Sequence, residues 1–269
     1  MSIAPPLPTS STRHRPRFLR SVVALMLREM VTRFGGTPGG YIWTIAEPVG
    51  GIAMMVLIFT VGLKLRTPAL GINFPLFFAT GMLVLSMYLG TCNSVQRSLT
   101  ASRTLLTYPG IGFIEAITAR FMLELLTKLV IVYIVLGGIL LLFETRTIID
   151  LPPILAALGL AAALGLGMGC LNAYLIPTFP LWDSVWGILT TPLFLMSGIF
   201  FIYEDLPEIG QDVLWYNPLI HLTGLMRTGF YPTYEPVYIS VGYVGAWVLT
   251  PMAFGLLLLR KHHRRILNL

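Results

Sequence analysis

Few side chains in this sequence could do acid–base chemistry within its long apolar segments. Glu47 is one of them, and it lies beside Pro48 near the start of the first segment. Proline is well tolerated at a first helical position, where a carboxylate also interacts favourably with the positive end of the helix. If the helix instead begins at Tyr41, Glu47 lies about two turns inside it and could pair with a nearby arginine. Glu47 is therefore predicted to be a structural residue unless a substrate contacts it.

A second charged set consists of Arg120, Glu124 and Lys128, which form two consecutive i,i+4 pairs on one predicted helix. Such pairs stabilise a helix at an aqueous surface. This helix is therefore expected to begin well before its apolar part, Leu129–Phe143. A proton or ion relay is the alternative, and it is disfavoured because the apolar segments hold almost no other ionisable group apart from Glu47.

Metal, thiol and nucleotide chemistry have no recognisable residue set in this chain. Cys92 and Cys170 fall inside apolar segments, and His262-His263 is best explained as part of a basic tail. No lysine follows a glycine, which excludes the common phosphate-binding loop, and neither His-Glu-x-x-His nor Gly-x-Ser-x-Gly occurs. The chain is therefore expected to hydrolyse no nucleotide, to catalyse no covalent reaction and to hold no cofactor.

Six long apolar segments, separated by short polar stretches, determine the predicted fold class. Each is close to the roughly 20 residues that an α-helix needs to cross a ~30 Å hydrocarbon layer. Charged residues make up only 11% of the chain, against about a quarter in ordinary soluble domains. The sequence thus predicts an all-α membrane protein with six transmembrane helices, at Tyr41–Leu63, Phe74–Asn93, Leu125–Phe143, Ile154–Ile176, Ser184–Tyr203 and Val237–Leu259.

Basic residues predict the orientation of these helices. Most of the 18 lysines and arginines precede the first segment, separate the second from the third, or follow the sixth. By the positive-inside rule these regions are cytoplasmic, and an even number of spans agrees with both termini lying there. The net charge of +6 therefore reflects topology, and no nucleic-acid partner is needed to explain it.

The N-terminal region divides into two predicted parts, followed by the membrane domain of residues 37–269. Residues 1–17 are rich in Pro, Ser and Thr and are expected to be disordered in the cytoplasm, with no signal peptide. Residues 18–36 are predicted to form an amphipathic helix in the cytoplasmic membrane interface, in contact with lipid phosphates. The alternative is a helix packed on other spans.

The fourth segment carries small residues at strict four-residue spacing: Ala157, Ala161, Gly165, Gly169 and Ala173. Small residues in that register form a flat stripe on one helix face and let a second backbone approach closely. Gly165 and Gly169 are therefore predicted to be helix-packing residues with no chemical role.

Two segments between the predicted spans are unlike ordinary connectors. The cytoplasmic segment 97–114 exposes Leu105-Leu106 and then Tyr108-Pro109-Gly110, which requires a partner surface. The external segment 203–236 is about 34 residues long and reads as two short amphipathic pieces broken at Asn217-Pro218. Backbone can enter membrane depth only where protein or water covers it, and a re-entrant hairpin of two short helices satisfies that condition.

The order and spacing of several short motifs resemble a known family. Gly40-Tyr41-Ile42-Trp43 and Glu47-Pro48 open the first span, and Leu105-Leu106-Thr107-Tyr108-Pro109 precedes the third. Met196-Ser197-Gly198-Ile199-Phe200-Phe201 ends the fifth, and Trp215-Tyr216-Asn217-Pro218 precedes the sixth. The chain resembles, over nearly its whole length, the permease subunit of ABC exporters of the type-2 fold. The branch it is most similar to exports bacterial capsular polysaccharide across the inner membrane.

The resemblance implies an assembly of several components. The permease would act with a second copy of itself and with a cytoplasmic ABC ATPase subunit, which would bind the ATP and Mg²⁺. Leu105, Leu106, Thr107, Tyr108 and Pro109 would form the coupling helix that docks on that ATPase. The external hairpin would close the pathway. The cargo would be a lipid-linked acidic polysaccharide, passed to a periplasmic co-polymerase or adaptor and then to an outer-membrane exit.

Aromatic residues at both mouths of the predicted pathway suit a sugar polymer, because ring faces bind without a fixed register. Tyr41 and Trp43 lie inside, and Trp215 and Tyr216, next to Asn217, lie outside. The alternative is an interfacial aromatic belt in contact with membrane lipids, which is normal for any membrane protein. Two other functions stay open: a permease of the same fold for a drug or a teichoic-acid or O-antigen-like polymer, and a secondary transporter. A secondary transporter is expected to have acidic residues or histidines within the membrane and an internal repeat, and the sequence shows neither.

Overall fold

The computed structural model describes residues 14–34, 40–106, 112–145 and 147–267, and every regular element in these ranges is helical. A π-helical turn, Ile58–Gly62, continues α2, and a 3₁₀ turn, Tyr203–Asp205, precedes α10. The α-helices are α1 (His14–Phe34), α2 (Gly40–Leu57), α3 (Phe74–Gln96), α4 (Ser98–Ala101), α5 (Arg103–Leu106), α6 (Phe113–Leu142), α7 (Leu151–Thr178), α8 (Pro180–Thr190), α9 (Leu193–Met196), α10 (Glu208–Leu214), α11 (Pro218–Thr228) and α12 (Val241–Leu267).

Five helical stretches in the described ranges are long and apolar enough to cross a membrane: Ile42–Gly62, Phe74–Gln96, Phe113–Leu142, Leu151–Thr178 and Val241–His263. They correspond to the first four and the last of the predicted spans. The third begins at Phe113, twelve residues before the predicted apolar span, as the charge pairs on this helix indicated. The last begins at Val241, later than the predicted Val237.

The predicted fifth span, Ser184–Tyr203, is not one continuous helix. It is divided into α8 and α9 by a turn at Thr191-Pro192, and α9 ends before Gly198, whose φ is +76°. The Thr191 hydroxyl donates to the Gly187 carbonyl at 2.8 Å, and Pro192 has no N–H to continue the backbone ladder. Gly198 then adopts a left-handed conformation that other residues adopt only at a cost. These local features interrupt a segment whose composition alone predicts a single span.

Helix α7 lies at the centre of the bundle, between α3 and α12. A Cβ added to Gly165 would lie 2.6 Å from the Tyr88 carbonyl oxygen of α3. On another side of α7, a Cβ on Gly167 would lie 2.6 Å from the Val248 carbonyl oxygen of α12. Glycine therefore permits two close backbone approaches along the same helix, and the second was not predicted from the sequence.

Helix α1, which corresponds to the predicted amphipathic helix 18–36, has two different apolar surfaces. Val22 and Leu25 are buried and form a cluster with Ala119 of α6. Leu19 and Val31, by contrast, are 64% and 70% exposed. One face of α1 thus packs on a span, as one of the two alternatives predicts, and the other face is exposed. The predicted location in the membrane interface stays a prediction.

The bundle has two distinguishable ends. One end, here called the terminal end, carries α1, α4, α5, the beginning of α6 and the last turns of α12. The Phe113 and His263 rings meet there, with centroids 5.1 Å apart. The other, the far end, carries α10, α11 and the loops that lead into α3, α7 and α12. Asp150 donates its N–H to the Gly229 carbonyl at this end, at 2.9 Å.

Candidate functional sites at the two ends of the bundle

The predicted coupling segment lies at the terminal end, and the structure describes only part of it. Thr107, Tyr108 and Pro109 lie outside the described residues, as does the side chain of Leu105. Leu106 is partly buried and packs on an apolar cluster that joins α3, α4, α6, α7 and α12, with Val95, Leu99, Ile117, Cys170, Ala173, Leu259 and Ile266 at its centre. Movement of this segment would therefore act directly on several spans.

The last turns of α12 lie against the same region. His263 stacks on Phe113, and His262 lies 5.4 Å from the Tyr174 ring centroid. Each imidazole Nδ1 also lies within hydrogen-bond distance of a carbonyl one turn earlier in α12. These contacts are packing contacts. Among the described residues, no group of three or more His, Cys, Asp or Glu side chains could hold a metal ion.

A polar cavity of about 790 Å³ opens between α2, α3 and α6 at the terminal end. Helix α1 contributes Glu29 to it, and Phe194 of α9 also contributes to its wall. Six charged side chains line the cavity: Glu29, Glu47, Arg97, Arg120, Glu124 and Lys128. The sequence identified Glu47 and the three residues on α6 separately, but it did not predict that they share one cavity with Arg97.

Arg120 and Lys128 of α6 form bonds to neighbouring helices, and Glu124 lies between them on the same helix face. Arg120 forms an ion pair with Glu29 of α1, and it also donates to the Ser94 carbonyl of α3 at 3.3 Å. Lys128 donates to the Ser86 hydroxyl of α3 at 2.8 Å. Glu124 is 1% exposed. The predicted surface ladder is therefore partly buried, and it ties α6 to α1 and α3.

Gly90 of α3 makes room for this arrangement. A Cβ at this position would lie 2.5 Å from Cε of Lys128 and 2.8 Å from Oε1 of Glu124. Because both distances are shorter than any ordinary carbon contact, only glycine leaves these two charged side chains where they are. Both side chains therefore reach the backbone of α3 at Gly90.

The predicted external hairpin, 203–236, consists of the exposed helix α10 and the buried helix α11. Asn217 joins them as the N-cap of α11, because its side-chain oxygen accepts from Leu219 N at 3.0 Å. Its amide nitrogen donates to the Met196 carbonyl at 2.9 Å, which ties the hairpin to the end of α9. Asn217 thus has an observed structural role, in addition to its predicted place in the pathway.

Trp215 and Tyr216 differ in their surroundings, although they are adjacent. The Trp215 ring is partly buried, with its centroid 4.9 Å from Tyr243 and 5.4 Å from His221. The Tyr216 ring is 67% exposed, and its carbonyl accepts a hydrogen bond from the Tyr243 hydroxyl at 2.7 Å. Tyr216 therefore presents a free ring face at the far end, whereas Trp215 is largely occupied by its neighbours.

The inner pair of predicted aromatics begins α2. Trp43 is 71% exposed, and the side chain of Tyr41 lies outside the described residues. Since α2 runs from the terminal end toward the far end, Trp43 does not meet Trp215 or Tyr216 within one chain. The structure thus places the predicted pathway aromatics at opposite ends of the bundle.

Arg227 of α11 is a functional candidate that the sequence did not single out. It is 2% exposed, and its guanidinium donates to the carbonyls of Phe201 at 2.9 Å and Ile199 at 3.4 Å. Its Cζ lies 4.2 Å from the Phe77 ring centroid of α3. Arg227 therefore holds the end of the broken segment that follows α9 in place, and it connects α11 to α3. The one feature of the sequence that could have identified Arg227 is that basic residues are rare in this segment.

A group of tyrosines surrounds this arginine at the far end. Tyr234 donates to the Glu204 carboxylate at 3.1 Å and lies 3.4 Å from the Tyr238 hydroxyl. Burial, as the largest cause, raises the pKa of Tyr238 to about 12 and raises the pKa of Tyr234 further. Both phenols therefore stay protonated at neutral pH and act as hydrogen-bond donors that hold the loop before α12.

A buried polar network joins α3, α7 and α8 toward the terminal end. Asn172 donates to the Gln96 side chain at 3.4 Å and accepts from the Trp182 indole N–H at 3.0 Å. Buried amides need such partners, because an unmade hydrogen bond costs about 1–3 kcal/mol. Trp182 at the start of α8 is thus attached to the central helix by a directional bond.

The sequence of the chain is similar to a known family and to several known proteins. Residues 20–231 match the model of the family described as "ABC-2 type transporter". A polysialic acid transport protein, KpsM of Escherichia coli, is 30% identical over 248 residues, which cover 92% of this chain and 95% of that protein. CtrC of Neisseria meningitidis and BexB of Haemophilus influenzae, both capsule polysaccharide export inner-membrane proteins, are 25% and 26% identical over 92% of this chain and 92% of their own length.

Proposed function

Because this chain belongs to the ABC-2 type transporter family, we propose that it is the membrane-spanning subunit of an ATP-driven exporter of capsular polysaccharide. The cargo is an acidic, lipid-linked polysaccharide, and the chain moves it across the bacterial inner membrane. The observation that carries this proposal is the match to three named capsule or polysialic acid transport proteins over 92% of the chain. A match of that extent leaves little of the chain for an unrelated activity.

A separate cytoplasmic ABC ATPase supplies the energy. The chain has no phosphate-binding loop, so ATP and Mg²⁺ bind to the partner, and the permease acts without catalytic residues. Residues 105–109 dock on that partner as the coupling helix. The packing of Leu106 against the cluster at the ends of several spans supports this role, since a push on the segment would reach those spans directly.

The membrane topology has six crossings, with both termini in the cytoplasm. The fifth crossing, which completes the set of six, is the broken segment from α8 through α9 to Phe201. Its beginning is joined to Asn172 near one end of α7, and its end is joined to Arg227 at the far end. Helix α11 packs on α3 and α7, which supports a re-entrant hairpin made of α10 and α11. The terminal end is then cytoplasmic and the far end external.

The active unit contains two copies of the chain, and it passes its product to a periplasmic co-polymerase or adaptor. The exposed ring of Tyr216 at the external mouth supports a stacking contact with the sugar chain, assisted by Trp215. Tyr41 and Trp43 have the same role at the cytoplasmic mouth.

Deletion of the gene in its own host tests this proposal. Surface polysaccharide should disappear, and polymer should accumulate in the cytoplasm, because synthesis continues while export stops. A plasmid copy of the intact gene should restore the surface polymer. A deletion strain that keeps its surface polysaccharide, or that loses it without accumulating polymer inside, would contradict the proposed export step.

A further inference from the structure

The polar cavity at the terminal end contains two charged side chains that form no bond to another helix among the described residues. Arg120 and Glu29 pair with each other, and Lys128 bonds to Ser86, so these groups connect helices. Glu47 of α2 and Arg97 after α3 line the same cavity from different helices, and both side chains are exposed. Among the described residues, none forms a hydrogen bond or ion pair with the Glu47 carboxylate or the Arg97 guanidinium.

The walls of the cavity combine these charges with apolar surface. Met82 and Leu89 of α3 and Phe194 of α9 line it together with Asn93. A sugar ring has the same combination, with C–H faces that pack on apolar side chains and hydroxyl edges that need donors and acceptors. A carboxylate accepts from hydroxyls, and a guanidinium donates up to five hydrogen bonds. A lipid tail would not suit a charged lining, because burying charges without partners is costly.

We propose that this cavity is a saccharide-binding site at the terminal end, where Glu47 accepts from sugar hydroxyls and Arg97 donates to hydroxyls or to the carboxylate of an acidic sugar. The volume of about 790 Å³ holds a short stretch of the polymer. The inference rests on the proposed export function and identifies where the chain first holds its cargo. Glu47 therefore has a binding role, in addition to its place near the start of α2.

A cysteine on the cavity wall measures occupancy directly. Asn93 is exposed in the cavity, whereas the native Cys92 and Cys170 are 0% and 1% exposed, so Asn93→Cys provides the reactive thiol. The protein is the purified permease with its ATPase partner. The probe is the host's own surface polysaccharide, cut into oligosaccharides. The oligosaccharides should slow labelling of Asn93→Cys by a thiol reagent, and they should not slow labelling of Glu144→Cys, which lies beyond the other end of α6.

Adding Glu47→Ala and Arg97→Ala to Asn93→Cys should raise the oligosaccharide concentration needed for half protection about tenfold or more, since two charge-assisted hydrogen bonds are lost. Glu47→Gln should give an intermediate value, because the amide oxygen still accepts. The matched control, Glu144→Ala with Arg66→Ala, should leave protection unchanged. The labelling rate without oligosaccharide should be the same in all of them, which reports an intact cavity.

Equal protection of the double variant and the parent would overturn the saccharide site, and so would a parent that oligosaccharides do not protect. A labelling rate that changes before any oligosaccharide is added would instead assign Glu47 and Arg97 a structural role, which also overturns the proposal. Failure of the export function itself would be visible separately, as unchanged surface polysaccharide in the deletion strain.

Discussion

At the scale of single residues, the far end depends on a few polar side chains that replace backbone partners. The broken helical segment leaves the carbonyls of Ile199 and Phe201 without helical donors, and Arg227 supplies both bonds. Lysine could not do so in the same way, because its ammonium is a point charge and lacks the planar fork of arginine. The guanidinium is therefore matched to this particular pair of carbonyls.

Replacing Arg227 by Met should strongly destabilise the permease. Each buried carbonyl left without a donor costs about 1–3 kcal/mol, and Arg227→Lys should recover only part of that loss. Thermal unfolding of the purified protein in detergent measures the effect. Arg66→Met, at an exposed position, is the control and should behave like the parent. Equal stability of all three variants and the parent would show that the two carbonyls have other partners.

Tyr216 and Trp215 provide a test of the proposed sugar contact. A stacking contact contributes on the order of 1 kcal/mol, so Tyr216→Ala alone should reduce export moderately and the double alanine variant clearly more. Tyr216→Phe should be nearly silent, because the ring face survives. The measurement is surface polysaccharide per unit of inserted permease, with Val237→Ala, which is 98% exposed, as the control. If the losses follow protein level alone, these aromatics are interfacial anchors.

At the scale of elements, close helix packing around α7 organises the bundle. Gly165 faces the Tyr88 carbonyl of α3, and Gly167 faces the Val248 carbonyl of α12. Small residues are effective here because helix association in a membrane depends on van der Waals contact between closely approaching backbones. Helix α7 is thus the shared support for helices on two of its sides.

Gly165→Leu should impair folding or lower thermal stability, because its Cβ would lie 2.6 Å from a backbone oxygen that cannot move independently. Overpacking of this kind typically costs about 1–3 kcal/mol. Gly159→Leu on the same helix is a matched control, since nothing lies within 4 Å of a Cβ added there. The unfolding temperature and the yield of monodisperse protein measure both. Identical behaviour of the two variants would mean that α3 and α7 are not tightly packed.

An element was predictable when residues close together in the sequence specify it. The long helices were predictable because an apolar run of about 20 residues is a local signal. The break at Thr191-Pro192 was not, since Pro48 and Pro251 lie inside helices without ending them. The effect of a proline depends on whether neighbouring groups satisfy the freed carbonyls, and composition does not contain that information.

The candidate sites show the same division. The stripe of small residues containing Gly165 and the charge pairs on α6 were visible as local spacing in the sequence. The cavity containing Glu47 and Arg97 was not, because these residues are 50 positions apart and line the same cavity only through the packing of α2 on α3. Arg227 was also missed, because a buried arginine and an exposed one look alike in sequence. Long-range packing therefore decides which polar residues are available for function.

At the scale of the whole molecule, the two ends of the bundle have different compositions that suit the proposed direction of transport. The terminal end combines the predicted coupling segment with a charged cavity, and the far end combines a buried hairpin helix with aromatic side chains. Helices α3, α6 and α7 extend between them, so movement of the predicted coupling segment would be transmitted along these helices to the far end. The proposed ATP-driven mechanism depends on this transmission from the terminal end to the far end.

Transport in reconstituted vesicles tests that mechanism most directly. Inside-out vesicles would contain the permease together with its cytoplasmic ATPase partner, and polysaccharide entering the lumen would be measured after addition of ATP and Mg²⁺. We predict uptake that requires ATP hydrolysis and both proteins, and that is lost when Leu106, which packs on the cluster below the coupling segment, is replaced by Glu. ATP hydrolysis by the permease alone, or polysaccharide uptake driven by an ion gradient without the ATPase, would contradict this account.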